Sequence, residues 1–362
     1  MLYNRTVKSW DVIIAGGGVI GLSLACRLQT QGLRVVVIEK HEPAREASYA
    51  AGGMIASCDP HIPQELKPLV AASAQLYPSF VQGLQNDSGE SVDLRDAGTI
   101  AKFENGEIPE CTGARQLSPE EVLLSEPLLR LPGPAWLLPE RSVDPRGLGR
   151  ALVTAAKHHG VDFVTGSQVI EVIAADGHAA AVRTTHSDYA AAVVVNCLGA
   201  WAAQVQPIPI PTRPVKGQMV CLVPQAGTAH AGLPIQHVVR TPGIYIIPRS
   251  DGRILLGATV EDTGFDKRVD PTTIQKLHQA GIEAVPELAN MRIHDAWAGL
   301  RPGTPDDLPI LGETSLPGYY AATGHYRDGI LLAPITAQLV SELIMGLRPA
   351  LDLQPFSPLR FV

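Results

Sequence analysis

The 362-residue chain carries 29 Lys and Arg against 36 Asp and Glu, a formal net charge of -7, and 45% of its residues are hydrophobic. That balance fills ordinary globular cores and excludes an overall basic surface, so neither a nucleic-acid backbone nor an anionic membrane is the expected main partner. The five scattered cysteines, Cys26, Cys58, Cys111, Cys197 and Cys221, form no C-x-x-C pair. They read as reduced thiols, with no disulfide framework and no metal site.

The opening "MLYNRTVKSW" is polar and lacks the apolar core of a secretion signal, and no apolar stretch reaches the ~20 residues that span a bilayer. A cytoplasmic protein without membrane insertion is expected. Residues 11–40 read strand, glycine turn, helix, strand: "DVIIA", "GGGVIG", "LSLACRLQTQG" with Ile20, Leu24 and Leu28 on one face, then "RVVVIEK". Residues 86–140 mix short strands with Pro and Gly. A helix is predicted over "GLGRALVTAAKHHG" (147–160), and strands over "VDFVTG", "SQVIEVIAADG" and "AAVVVNCLGAW", all expected as further parts of the same parallel-sheet domain. Residues 213–300 hold short β-forming runs, "PVKGQMVCLV", "GIYIIPRS" and "RILLGATV", which suggest an antiparallel sheet. The run "YYAATGHYRDGILLAPITAQLVSELIMG" returns to strand, glycine turn and helix. These patterns imply an α/β chain of two interleaved domains, 1–85, 141–212 and 301–362 against 86–140 and 213–300.

Gly16, Gly18 and Gly21 form G-x-G-x-x-G, and Glu39 follows 18 residues after Gly21 at the end of the second strand. The glycines permit a tight turn and close backbone approach to a pyrophosphate, which the helix N-terminus stabilises, while the acid can accept hydrogen bonds from ribose hydroxyls. Such an acid disfavours the 2'-phosphate of NADP and leaves NAD and FAD equal on this motif alone. The small-residue segment from Ala50 to Met54 suits a backbone lying against a flat ring.

With "IIAGGGVIGLSLA", "AAGGMIA", "PVKGQMV", "YIIPRSDGRILLGATV", "WAGLRPGTPD" and "AATGHYRDGILLAP" in this order, the chain resembles the D-amino-acid oxidase family of FAD enzymes. The likeness is strongest to its glycine oxidase branch, associated with thiamin biosynthesis. The resemblance implies a doubly wound, Rossmann-type FAD domain interleaved with an α+β substrate domain on a mixed, largely antiparallel sheet. By motif it places FAD contacts at Val19 and Ile20, Glu39 and Lys40, Ala47 and Ser48, Gly52, Gly53 and Met54, Val169, and the run His325, Tyr326, Arg327, Asp328, Gly329, Ile330 and Leu331. A helix starting near Gly329, with Pro334 in its first turn, would direct N-H groups at the flavin.

Arg301 in "GLRP" is implied as the partner of the substrate carboxylate, for which a guanidinium fork is geometrically matched; the alternative is an internal ion pair with Asp306 or Asp307. The resemblance gives Tyr245 a supporting role and the Arg327 carbonyl the substrate amine. His325 reads either as a structural or flavin-contacting residue or as a proton-transfer group. Asp307 stands where relatives often have glycine. The implied reaction is hydride transfer from glycine, a small D-amino acid or an N-methylated amine to flavin N5, with oxygen as acceptor, giving peroxide, an oxo acid and ammonia. Rival readings are a D-amino-acid dehydrogenase passing electrons to a quinone, an FAD domain in tRNA modification and a silent NAD-binding module. No cysteine follows Cys221, which argues for non-covalent FAD, and the resemblance implies a homo-oligomer.

Overall fold

The computed structural model describes residues 10–104, 107–109, 111–225 and 233–362; most of the polar opening segment, residues 1–9, lies outside them. The chain starts with β1 (Trp10–Ala15), α1 (Val19–Thr30) and β2 (Val35–Glu39), then α2 (Ala47–Ala50), β3 (Met54–Ile55) and α3 (Lys67–Ser88). Next come β4 (Leu94–Arg95), β5 (Thr99–Ala101), β6 (Arg115–Leu117), α4 (Pro119–Ser125), β7 (Ala135–Leu138), β8 (Arg141–Val143) and α5 (Pro145–His158). They lead to β9 (Asp162–Thr165), β10 (Val169–Ala175), β11 (His178–Thr184), β12 (Asp188–Asn196), β13 (Arg213–Pro224), β14 (Val238–Arg240), β15 (Tyr245–Pro248) and β16 (Ile254–Gly257). The chain closes with α6 (Pro271–Ala284), β17 (Met291–Gly303), β18 (Ile310–Glu313), β19 (Tyr319–Thr323) and α7 (Gly329–Ile344).

The first large sheet runs β10-β11-β12-β1-β2-β9, with β19 paired to β12 and β18 to β19. Its centre is parallel, and β1 and β2 are almost wholly buried, as continuous Val/Ile runs require when both faces are covered. Period-two alternation then sorts the side chains. Val12, Ile14, Val35 and Val37 face a core shared with α1, α3, α5 and α7, whereas Ile13, Ala15, Val36 and Ile38 pack with Val169, Val172 and Val182. The run "SQVIEVIAADG", expected in the parallel-sheet domain, supplies β10 at the edge of this sheet, where β10 and β11 form an antiparallel hairpin. Its turn is Asp176-Gly177, with φ of 50° and 77°, the left-handed pair that a two-residue hairpin loop demands.

The second large sheet runs β17-β13-β16-β15-β14-β5-β7-β6 and is antiparallel except for β14 with β5. Residues Ile274 and Leu277 of α6 cover one face through Val220, Leu222, Ile246 and Leu256. The opposite face, with Met219, Ile247 and Tyr245, turns toward Met54. The functional cavity lies in that gap. Because β17 continues unbroken through residue 301, we propose to draw the domain division after Gly303.

Two expectations are corrected. Cys58 and Cys111, 53 residues apart, form a disulfide with a Cα–Cα distance of 5.4 Å; the loop after β3 and the turn before β6 meet in one apolar cluster with Ala101 and Leu138, a proximity that no sequence spacing announces. Cys26, Cys197 and Cys221 are thiols, and burial pushes all three up, Cys26 to about 12. Helix α7 begins at Gly329 as expected, but Pro334 is its sixth residue and lies beyond the first turn. Proline there removes the N-H that would bond the carbonyl of Ile330. The Tyr77 hydroxyl of α3 supplies the missing donor at 2.6 Å, and the Ser73 hydroxyl donates to the Leu331 carbonyl at 2.6 Å. Among the described residues no helix is long and apolar enough to cross a membrane.

Candidate active site

A cavity of about 590 Å³ runs from the glycine turn after β1 to the face of the second sheet. At its first end Gly16 has φ 105°, and a Cβ there would lie 2.5 Å from the Cys197 carbonyl oxygen, so the turn closes against the end of β12 only with glycine. Gly21 sits against the Gly16 carbonyl in the same way and does not line the cavity. Glu39, at the end of β2, accepts from the Gly17 and His41 N-H groups at 2.9 and 3.0 Å and is only 8% exposed. Both oxygens keep further lone pairs for an incoming hydroxyl. The Val19 N-H already donates to Ser48 Oγ at 2.9 Å; the N-H groups of Gly18 and Ile20, at the positive end of α1, find no acceptor among the described residues.

Beside Glu39, the Lys40 ammonium stands 3.6 Å from the centre of the Trp201 ring, which packs on Phe265 at 5.5 Å, and burial lowers the Lys40 pKa. Lys267 closes over the same edge through an ion pair with Glu46 at 2.9 Å. Farther along, the segment of Ala47 to Met54 is fixed from the second sheet. Trp297 Nε1 donates to the Ala50 carbonyl at 3.0 Å, and the fully buried Arg249 donates to the Gly52 carbonyl at 2.5 Å. The segment consequently presents bare backbone to the cavity.

The turn after β19 forms the next wall. His325 is 4% exposed and its Nε2 lies 3.0 Å from Thr336 Oγ1; burial lowers its pKa to about 3, so the ring is neutral at physiological pH. This geometry favours the structural reading over proton transfer. Tyr326, at φ 45°, donates its N-H to the Pro302 carbonyl at 3.0 Å, tying this turn to the end of β17. The Arg327 side chain is exposed, and its carbonyl accepts no hydrogen bond from the described chain. Asp328, the residue before α7, is raised to about 6 by burial, with Asp59 adding to the rise while Arg327 and Arg240 oppose it. Gly329 and Ile330 line the cavity; Leu331 is core and does not.

At the other end stands Arg301. Its Nη1 donates to the Thr259 and Lys216 carbonyls at 3.0 and 3.4 Å, and among the described residues no carboxylate pairs with it. The internal ion pair is thereby set aside: Asp306 is held by Arg360 at 2.8 and 3.1 Å, and Asp307 is exposed. Asp307 takes φ 57°, the left-handed conformation that glycine would favour. The strip bearing Thr259 is fastened to β13 by paired backbone bonds between Lys216 and Glu261, both 2.9 Å, and by the Gln218 N-H on Thr259 Oγ1 at 2.9 Å. Tyr245 lies 3.9 Å from Met219 Sδ through its hydroxyl; burial raises its pKa while the neighbouring Arg301 and Arg327 charges hold it down.

The structure thus brings every residue anticipated from the sequence to the cavity wall except Gly21 and Leu331, and Val169 joins at the nucleotide end. Sequence reasoning missed Trp201, Gly217, Met219, Arg240 and Gly257, all of which line it. Only Trp201 had a local signal, standing directly after a strand and glycine turn. The remainder depend on strand register. An acid and free N-H groups at one end, a bare backbone floor along the middle and the start of a helix beyond fit an extended dinucleotide with a flat ring.

Comparison with known proteins agrees. Residues 11–343 match the model of a family described as FAD dependent oxidoreductase. The bifunctional protein ThiO/ThiG of Synechocystis sp. is 37% identical over 97% of this chain and 54% of its own length, so the chain spans about half the length of the first curated relatives it matches. Glycine oxidase of Pseudomonas aeruginosa is 31% identical, with 96% of this chain and 98% of that protein covered. The crystal structure of glycine oxidase from Geobacillus kaustophilus superposes with a TM-score of 0.90 at 31% identity, covering 98% and 99% of the two chains. With an acid-and-glycine nucleotide end, a flat-ring floor and an arginine free of internal carboxylates in one cavity, the chain belongs to the DAO family of FAD-dependent oxidoreductases.

Proposed function

We propose that the protein oxidatively deaminates glycine, a small D-amino acid or an N-methylated relative, with oxygen as electron acceptor. The observation that carries this reading is the Arg301 guanidinium, fixed on two backbone carbonyls with no carboxylate of its own. Bound FAD supplies the hydride acceptor for the chemistry. Glu39, Gly18 and Ile20 would hold its nucleotide part, and Gly52, Gly53, Met54 and the turn from His325 to Ile330 its ring. Arg301 and the Tyr245 hydroxyl bind the substrate carboxylate, and the Arg327 carbonyl accepts an N-H of the neutral amine. Holding both ends fixes the α-carbon, so positioning carries most of the catalysis and no general base is required. A primary amine, oxygen and water yield an oxo acid, ammonia and hydrogen peroxide. A place in thiamin biosynthesis, a cytoplasmic location, homo-oligomeric assembly and non-covalent FAD belong to the same proposal; Cys221, the last cysteine, is buried and does not line the cavity.

The test is peroxide formation across glycine, sarcosine, D-alanine, D-proline and L-amino acids. Peroxide with glycine or a small D-amino acid is expected; turnover only with a quinone would replace the oxidase by a dehydrogenase. Arg301→Ala is expected to stay folded and yellow while KM rises about 100-fold, the worth of a charge-assisted bidentate pair.

A further inference from the structure

Arg301 is a long side chain on β17, and its head lies over Gly217 of the neighbouring β13 at the cavity wall. It lies flat along the sheet. The register explains how: β17 pairs with β13 so that Val215 faces Arg301 and Gly217 faces Gly299, which makes Gly217 the diagonal neighbour of Arg301 on one face, within reach of a long side chain. The guanidinium occupies the space that a side chain at 217 would fill. A Cβ on Gly217 would fall 2.5 Å from Arg301 Nη2 and 2.6 Å from Cζ, so the guanidinium would have to shift from the place where it meets the Thr259 and Lys216 carbonyls.

The same device recurs one strand away. Gly257 of β16 is directly opposite Tyr245 of β15, and a Cβ there would lie 2.7 Å from Cε2 and 2.9 Å from Cζ of the tyrosine ring. Glycine weakens a strand interior and usually marks close approach by another group. In both cases that group is one of the two side chains assigned to the substrate carboxylate.

We propose that Gly217 and Gly257 are positioning residues of the carboxylate site: each leaves a gap on the sheet in which Arg301 or Tyr245 lies flat, at the depth where a small amino acid can reach it. The inference rests on the reading of Arg301 as the carboxylate partner. Adding a methyl at 217 would lift the guanidinium off its carbonyls and into the volume meant for substrate.

The experiment is a double-mutant cycle on the FAD-loaded enzyme, read by acetate binding through its perturbation of flavin absorbance and by the split between KM and kcat. Gly217→Ala is expected to weaken acetate at least ten-fold and to raise KM for glycine more than it lowers kcat. In an Arg301→Ala background, where the space is empty, the same substitution is expected to change acetate affinity less than two-fold. An undiminished acetate affinity in the single Gly217→Ala variant, or an equal loss in both backgrounds, overturns the proposal. Were Arg301→Ala itself to leave acetate binding unchanged, the carboxylate reading would fall and this inference with it. Should Gly217→Ala not fold, Gly257→Ala in wild-type and Tyr245→Ala backgrounds answers the same question, and equal losses in the two overturn it.

Discussion

Asp328→Asn tests the electrostatics of the turn that opens α7. The Asp328 carboxyl makes no capping bond to the helix it precedes, and burial is the main reason its pKa is raised from 3.8 to about 6, with Asp59 adding to the rise and Arg327 and Arg240 opposing it. Between those two values the folded state holds a proton that the unfolded chain has released, so stability falls as pH rises through the window. The penalty reaches about 3 kcal/mol at pH 7 and roughly half that at pH 5, both ceilings because Asp328 as a whole residue stays partly exposed. Removing the charge is therefore expected to stabilise the protein more at pH 7 than at pH 5. Urea unfolding at the two values, with FAD in excess, measures the difference. His325 acts in the opposite sense: lowered to about 3, it leaves the unfolded chain to take up the proton first below its ordinary 6.5, so its contribution is lost as pH falls. That contribution is common to both proteins and cancels in the comparison. A stabilisation that is flat across pH, or larger at pH 5, would refute the reasoning.

Two further outcomes follow from contacts outside the substrate end. Tyr77→Phe leaves the Ile330 carbonyl, freed by Pro334, without its 2.6 Å donor in a fully buried position, and a loss of about 1–3 kcal/mol is expected in urea unfolding; an unchanged midpoint would mean that the helix start relaxes at no cost. Trp201→Ala removes the ring beneath Lys40 and is expected to weaken FAD about 3- to 30-fold with KM for the amine unchanged. Titration of apoprotein with FAD measures the first and steady-state kinetics the second, and a change confined to KM would move Trp201 to the substrate end.

What could be read from the sequence was what the chain encodes locally. The strand, glycine turn, helix and acid of residues 11–40 all act within one supersecondary unit, and the unit stands where expected. The Asp176-Gly177 hairpin is equally local, but "SQVIEVIAADG" is read from the sequence only as a strand, without its two-residue turn. Helix α3 carried no expectation, Pro78 interrupting its pattern, and its purpose is non-local: Tyr77 meets a carbonyl 253 positions away. The Cys58–Cys111 bond is of the same kind.

The substrate end divides along this line. Arg301 and Tyr245 were identifiable from the resemblance, because their chemistry is in their own side chains. Gly217 stood in plain view in "PVKGQMV" and conveyed nothing, because its contribution is the absence of a side chain at one position of a paired strand. Such a role has no composition, charge or periodicity to betray it; it exists only once β13 and β17 are in register and a guanidinium needs the space. A binding site read from sequence alone will thus name the groups that touch a ligand and omit the positions kept empty for them, and the double-mutant cycle on Gly217 and Arg301 measures how much of the affinity depends on the second kind.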